Sequence, residues 1–321
     1  MFRISHSAYR CAAIILFAAA VSLPVHVWAR QEQTQPARQP PKDQSTGKTE
    51  KKDDPPLPST PKEVEKIKDR VIKTKNGEVK FTAAEIVAET TIVAYGGRLG
   101  LKAARSGVRE EGTIRIATEQ GDANGTFTLR EMQRDKSWED LLRTDLELAP
   151  PDAARKAGAP AKIKYTLAFN GASVWASQND QYINPSPESE VAFKSQLAHS
   201  YLSLLRYKED GSKIELIGPE TVVGIETQVM DLTLPTGEKT RFWISAKSYH
   251  ILHLEYDLKL PDGSTGRIRV SYYPPYRVVQ NTLVPTRTVM EQSGKFVQEI
   301  ILHSFSYGAK LDPEIFQHLQ S

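Results

Sequence analysis

The stretch Tyr249-His250-Ile251-Leu252-His253-Leu254-Glu255-Tyr256-Asp257-Leu258-Lys259-Leu260 decides the fold class. Its even positions from 252 to 260 read Leu, Leu, Tyr, Leu, Leu, and its odd positions from 253 to 259 read His, Glu, Asp, Lys. Successive strand side chains point to opposite faces, so this spacing predicts a strand with one dry face and one wet face. Burying five such side chains contributes roughly 8–15 kcal/mol gross, at about 1.5–3 kcal/mol each, before chain entropy is subtracted. Something must cover that face. Whether the cover leaves a cavity is the functional question.

The same habit spreads outward. Upstream, Met230, Leu232 and Leu234 run into Pro235-Thr236-Gly237 and then Phe242-Trp243-Ile244. Downstream, Pro261-Asp262-Gly263 leads to Ile268, Val270 and Tyr272, which alternate with Arg267, Arg269 and Ser271 until Pro274-Pro275 interrupts. Short turns between long strands predict antiparallel neighbours. Earlier, 112–116 and 125–129 are expected to form a hairpin about a turn from Gly121 to Gly125, followed by a strand over 141–148. Ile163, Tyr165, Leu167 and Phe169 form another one-sided strand, and Asn170-Gly171 turns it into Ser173-Val174-Trp175-Ala176. A last hairpin is expected about Ser293-Gly294, and Asp312-Pro313-Glu314 reads as a closing turn.

Helices interrupt this series. Thr82-Ala83-Ala84-Glu85 is a capping box, predicting a helix to about Tyr95 that stops at Gly96-Gly97, with a short second turn over 99–104. A long helix is expected from Ser186-Pro187 to Asp210-Gly211, with Phe193, Leu197, Tyr201, Leu204 and Leu205 on one face. Thr60-Pro61-Lys62-Glu63 predicts a further short helix over 61–73. A one-sided sheet with two apolar-striped helices is mainly β in class (α+β). The economical arrangement is one strongly curved antiparallel sheet, an open half β-barrel, with helices packed in its concave face. Two packed sheets are the alternative, but a sandwich has no natural place for the helix over 186–208.

The N-terminus reads as a secretory signal over 1–29: Arg3 and Arg10, an apolar core from Cys11 to Leu23, and Val27-Trp28-Ala29 as the cleavage site. An uncleaved membrane anchor is the weaker reading, because the run is short and carries Pro24 and His26 at its end. Residues 30–78 read as a Pro-rich charged linker with the short helix inside it, and 79–321 as the half-barrel domain. The whole chain has 42 Lys and Arg against 39 Asp and Glu, and cleavage removes two Arg and no acid. A near-neutral chain has no electrostatic footprint for nucleic acid. The single Cys, Cys11, lies in the signal, which excludes thiol catalysis and Cys-held metal in the mature chain. Ser45-Thr46-Gly47-Lys48-Thr49 lacks the earlier glycine and the preceding strand of a phosphate-binding loop.

Several pieces resemble the LolA/LolB-like superfamily of periplasmic lipoprotein carriers and related outer-membrane lipoprotein-sorting proteins. They are Tyr95-Gly96-Gly97, Gly112, Gly125-Thr-Phe-Thr-Leu129, Phe169-Asn-Gly171 with Trp175, Gly224 to Leu232, Arg241 to Ser245, Leu254-Glu-Tyr256, and Tyr276 to Val279 with Val284-Pro285. The resemblance implies the half-barrel, a cell-envelope location, and binding of lipid or lipoprotein acyl chains. It aligns turn glycines and packing residues, and no ligand-contacting motif is carried over.

Catalytic motifs are absent: there is no G-x-S-x-G and no H-E-x-x-H. His250 and His253 fall on opposite strand faces, which excludes joint metal binding and predicts surface or edge positions. The expectation is therefore a non-enzymatic binder, without cofactor or metal. Removing an acyl chain of about 16 carbons from a membrane costs on the order of 12 kcal/mol at about 0.8 kcal/mol per methylene. A small surface patch could not offset that, whereas the inner face of a half-barrel could. Phe169, Trp175, Tyr201, Leu232, Leu254, Tyr256 and Ile268 are the expected wall, chosen for falling on the inferred inner face. The competing expectation is an envelope interaction or sensor module with a filled core.

Overall fold

The computed structural model describes residues 67–318, except 75, 76 and 157. The expected signal, most of the linker and the capping box at Thr60 lie outside the described residues. Two short strands, β1 (Arg70–Thr74) and β2 (Gly77–Phe81), pair antiparallel. The helix expected to reach Lys73 is thus a strand over its last residues: Arg70-Val-Ile-Lys-Thr has the β-branched content of a strand and a complementary partner beginning at Gly77. Then come α1 (Ala83–Ala94) and α2 (Gly97–Arg105). The capping box is present: Glu85 N–H donates to Thr82 Oγ1 at 3.2 Å and Thr82 N–H to Glu85 Oε2 at 2.9 Å. Gly96 links the two helices with φ 116°, and a Cβ there would lie 2.2 Å from the Asn281 carbonyl oxygen. Only glycine allows both the backbone conformation and the approach.

The remaining strands are β3 (Gly107–Thr118), β4 (Gly121–Met132), β5 (Leu141–Ala149), β6 (Ile163–Phe169), β7 (Val174–Gln178) and β8 (Gln181–Ile183), with a short helix α3 (Asp152–Lys156) between β5 and β6. After three helical segments come β9 (Lys213–Val222), β10 (Ile225–Thr233), β11 (Lys239–Ser245), β12 (Ile251–Lys259), β13 (Thr265–Val279), β14 (Thr282–Gln292) and β15 (Lys295–Tyr307). These thirteen strands form one antiparallel sheet ordered β8-β7-β6-β5-β4-β3-β15-β14-β13-β12-β11-β10-β9. It is open, with β8 and β9 at its edges. Neighbours in this sheet are consecutive in the chain except at the middle, where its last strand, β15, pairs with its first, β3, Ile300 opposite Ile114. The chain crosses from one edge to the other through the helices between β8 and β9. This is the expected curved one-sided sheet.

That crossing is not one long helix. It is α4 (Pro187–Ala198), α5 (Tyr201–Leu205) and α6 (Tyr207–Asp210). Both ends stand where expected, with the Ser186 side chain capping the start and Gly211 at φ 75° closing the end. The break falls at His199, whose φ and ψ of −118° and 62° are not helical, and at Ser200, which caps α5. Serine favours a cap over a helix interior. The periodicity continues across the break, so hydrophobic spacing alone did not show it.

The hairpin of β3 and β4 is also longer and tighter than expected. Thr118 pairs with Gly121, and Gly125 lies inside β4 opposite Ile114. The inner face carries one continuous core. It includes Val87 and Ile92 of α1, Phe193 and Leu197 of α4, Leu204 of α5, and Leu232, Leu254, Tyr256 and Ile268 of the sheet. In β12 the alternation holds from Leu254 to Leu258 and slips at Leu252. There the register with β11 shifts, Ile251 takes the inner position with no exposure, and Leu252 is only half-buried. His253 is buried as well, against the expectation of a surface residue: its ring stacks on Trp243 at 4.3 Å. The outer face of β12 is therefore wet only towards its C-terminal end.

Candidate functional site

The half-barrel places α4 across its concave side, between β7 on one side and β12 on the other. Between α4 and the ends of β10–β13 opens a cleft of about 1150 Å³. It has two arms. The apolar arm is lined by Trp138, Phe169, Val191, Ala198, Tyr256 and Leu258. The charged arm wraps the β10–β11 turn at Thr236-Gly237 and reaches Asp231, Lys239, Arg241, Glu255, Asp257 and Arg267 on the outer face. Strand alternation puts Tyr256 on one face and Glu255 and Asp257 on the other, so a cleft at the sheet's end touches both chemistries.

Tyr256 is where α4 is seated. The His199 ring stacks on it at 3.9 Å, 6° from parallel, and Ser195 Oγ lies 3.3 Å from its hydroxyl. His199 Nδ1 is 2.7 Å from Thr240 Oγ1. Burial pushes the Tyr256 hydroxyl up to about 12 and the His199 imidazole down to about 4. Buried neutral in the fold and titrating near 6.5 when unfolded, His199 supports stability fully above about pH 6.5 and loses that support as pH falls towards 4. A shift of that size corresponds to roughly 3 kcal/mol. Acid unfolding of the α4–α5 junction is therefore expected between pH 6.5 and 4. The check is urea midpoint against pH for the wild type and His199→Phe, in which the slope over that window should be shallower. His253, also held near 4 by burial, supplies a remaining slope.

At the far end, α5 and α6 are bolted to the connection between β4 and β5. Arg206 Nη1 donates to Asp140 Oδ2 at 2.5 Å, and Arg206 Nη2 to the Arg134 carbonyl at 2.7 Å. Asp210 accepts from the Ser137 amide at 3.0 Å and the Ser137 hydroxyl at 2.6 Å. Asp140 and Arg206 are both largely buried. Burial and the neighbouring Glu131 carboxylate push the Asp140 carboxyl up to about 8, against the pull of Arg206. The outer arm is an ion-pair ladder: Lys239 and Arg241 each 2.6 Å from Asp231, Arg269 2.6 Å from Glu255, and Arg267 3.0 Å from Asp257.

Of the seven residues expected to form a wall, Phe169 and Tyr256 line the cleft. Leu232, Leu254 and Ile268 face inward as expected but are fully packed in the core, at 0%, 0% and 1% exposure. Tyr201 packs edge-on against Tyr272 at 5.5 Å, away from the cleft lining. Trp175 is on the opposite face. Phe169 pairs with Val174, so Val174 shares its face and Trp175 points outward with Ala168. Its indole N–H donates to the Phe316 carbonyl at 2.7 Å, beneath the C-terminal turn. The error comes from counting alternation through the Asn170–Ser173 turn, which resets it. Trp138, Lys194 and His199 were not anticipated; the one available signal was a His-Ser pair breaking an apolar helical run. Among the described residues no group of three or more His, Cys, Asp or Glu side chains is placed to hold a metal ion, and no helix is long and apolar enough to cross a membrane.

The sequence matches no protein-family model and no curated protein. Solved structures similar to the chain include a DUF1329 family protein from Desulfovibrio piger, with TM-score 0.46 and 11% identity over 73% of this chain and 97% of that one. A domain from Vibrio parahaemolyticus named for outer membrane lipoprotein sorting has TM-score 0.45 and 12% identity over 72% and 94%. A LolA superfamily protein from Nitrosomonas europaea has TM-score 0.44 and 14% identity over 73% and 97%.

Proposed function

We propose that this protein is a non-enzymatic cell-envelope binder of amphiphiles, a lipid or an acylated protein, held in the cleft beneath α4. One observation carries the reading: an apolar arm against α4 continues directly into a charged arm at the sheet's end. An acyl chain fits the first and a polar head the second. Binding sites of this kind commonly measure about 300–1,000 Å³, so the cleft has the room. The deep centre of the half-barrel is filled, so the chain lies under α4 and not on the central floor. Opening requires α4 to lift from Tyr256 while α5 and α6 stay bolted at Asp140 and Ser137. A secretory signal over 1–29 would deliver the protein to that compartment.

Native mass spectrometry of protein purified from its own envelope tests the proposal, together with displacement of a fluorescent fatty acid. Bound lipid at stoichiometric level is expected. Val191→Trp, which fills the apolar arm from a half-buried position, is expected to weaken displacement at least about tenfold, as a blocked pocket costs more than 1.4 kcal/mol. A clean apo mass together with no displacement would sink it. The packed core favours the second reading in that case: an interaction module that keeps the fold with its interior closed.

A further inference from the structure

In an antiparallel meander, alternate turns gather at opposite ends of the sheet. One end carries the turns β10–β11, β12–β13 and β14–β15: Thr236-Gly237-Glu238, Asp262-Gly263-Ser264 and Ser293-Gly294. They are polar, and no large hydrophobic side chain is exposed on them among the described residues. The other end carries β9–β10, β11–β12 and β13–β14. There Val223 is 97% exposed, Val278 72% and Ile225 44%.

The joint between α1 and α2 sits on this same end. Gly96 touches the Asn281 backbone, and Leu283 N–H donates to the Tyr95 carbonyl at 3.2 Å. The joint brings two more exposed aliphatics, Leu99 and Val93. Glu226 accepts at its carbonyl from Ala246 N–H at 2.9 Å, which ties the β9–β10 and β11–β12 turns together. Two exposed cations stand on these turns, Lys247 in the β11–β12 turn and Arg277 near the β13–β14 turn, while Lys102 on α2 lies in a groove with Asp135 and Glu139. Glu226 is the exposed carboxylate on these turns. On the outer face of the sheet, in contrast, Arg241, Arg267 and Arg269 are all paired with acids.

Single exposed aliphatics on a surface need no explanation, but five at one end are a directed feature, when among the described residues the other end exposes one large hydrophobic side chain, Tyr182 beside the β7–β8 turn. Short aliphatic side chains at turn tips can enter the headgroup and acyl boundary, while long basic side chains beside them reach lipid phosphates. We infer that this end of the sheet docks on an anionic lipid bilayer, with Val223, Val278 and Leu99 inserted and Lys247 and Arg277 on the phosphates. The docking is peripheral and does not depend on whether the cleft under α4 holds a lipid.

Sedimentation with phosphatidylcholine vesicles, with and without phosphatidylglycerol, tests it on the described protein. Binding to the vesicles containing phosphatidylglycerol is expected, weakening as salt is raised. Lys247→Gln and Arg277→Gln should each lower partitioning about fivefold. The triple variant Val223→Asp, Val278→Asp, Leu99→Asp should abolish it with an unchanged thermal melt, since all three side chains are exposed. Fatty-acid displacement from the cleft should be unchanged in these variants, and Ser293→Asp at the polar end should bind vesicles like the wild type. Absence of vesicle binding by the wild type overturns the inference, as does undiminished binding by the folded triple variant. A concentration-dependent dimer that the triple variant abolishes, without vesicle binding, also overturns it and assigns the patch to a second copy of the chain.

Discussion

Gly112→Val is expected to lower the unfolding free energy by about 4 kcal/mol or more, a large part of the roughly 5–15 kcal/mol that holds an ordinary domain folded. Gly112 lies in β3, opposite Leu302 of β15 and Phe127 of β4. A Cβ at this position would stand 2.0 Å from the Ile301 carbonyl oxygen and 2.9 Å from Phe127 Cε1. The first obstacle is backbone in the pairing that joins the two halves of the sheet. It cannot rotate away as a side chain can, so the ladder must part. The second shows why the site is glycine: the Phe127 ring covers the ground that a side chain at 112 would occupy, which closes the core over a bare stretch of backbone. Urea denaturation gives the measurement. Gly100→Ala is the control, because nothing lies within 4 Å of a Cβ there and alanine is the better helix former. A stable, cooperatively folding Gly112→Val protein would show that β3 and β15 do not pair as described.

Arg206→Ala has the second large expected effect, about 3–5 kcal/mol above pH 8, where the buried Asp140 carboxyl is ionised and would be left without its cation. The effect should grow with pH. In the wild type the Asp140 carboxyl titrates well above its ordinary value, pushed to about 8 by burial and Glu131. A folded state that holds its proton more tightly than the unfolded chain is favoured at low pH. That contribution is present in full below about 3.8 and is lost as pH rises towards 8. Removing Arg206 takes away the main influence that opposes the shift, so the two proteins should lose stability in parallel between pH 5 and about 7, and the variant should go on losing it above pH 8, where the wild type levels off. Glu131→Gln should do the reverse, flattening the profile and raising stability at pH 8. Equal urea midpoints for Arg206→Ala and the wild type at pH 9 would mean that α5 and α6 are not held by this pair.

Much of this architecture can be read from alternation and punctuation. Leu254, Tyr256 and Leu258 face the core as their spacing requires, and Thr82 with Glu85 begins α1 as the capping box requires. The limits are equally physical. Periodicity reports which face is apolar but not what lies against it, so Leu232 and Ile268 read the same whether they floor a pocket or pack on a helix. A one-residue shift reverses the face. The bulge at Leu252 and the turn before Val174 each introduce one, which moves Ile251 in and Trp175 out. Cleft residues such as Trp138 and His199 become visible only when α4 and the β4–β5 connection meet, and the contacts that bring them together span many residues of sequence.

The pairing of β15 with β3 fixes the order in which the molecule can assemble. The Arg115 guanidinium meets Glu299 across a separation of 184 residues. Each flanking series of hairpins can form from local contacts, but the seam between them must wait until nearly the whole chain is present. Such long-range closure slows folding. Until it happens, β3 presents twelve residues of unpaired ladder, the kind of edge on which chains pair with one another and aggregate. A chain shortened before Lys295 should therefore collect as insoluble protein and not as a smaller folded sheet.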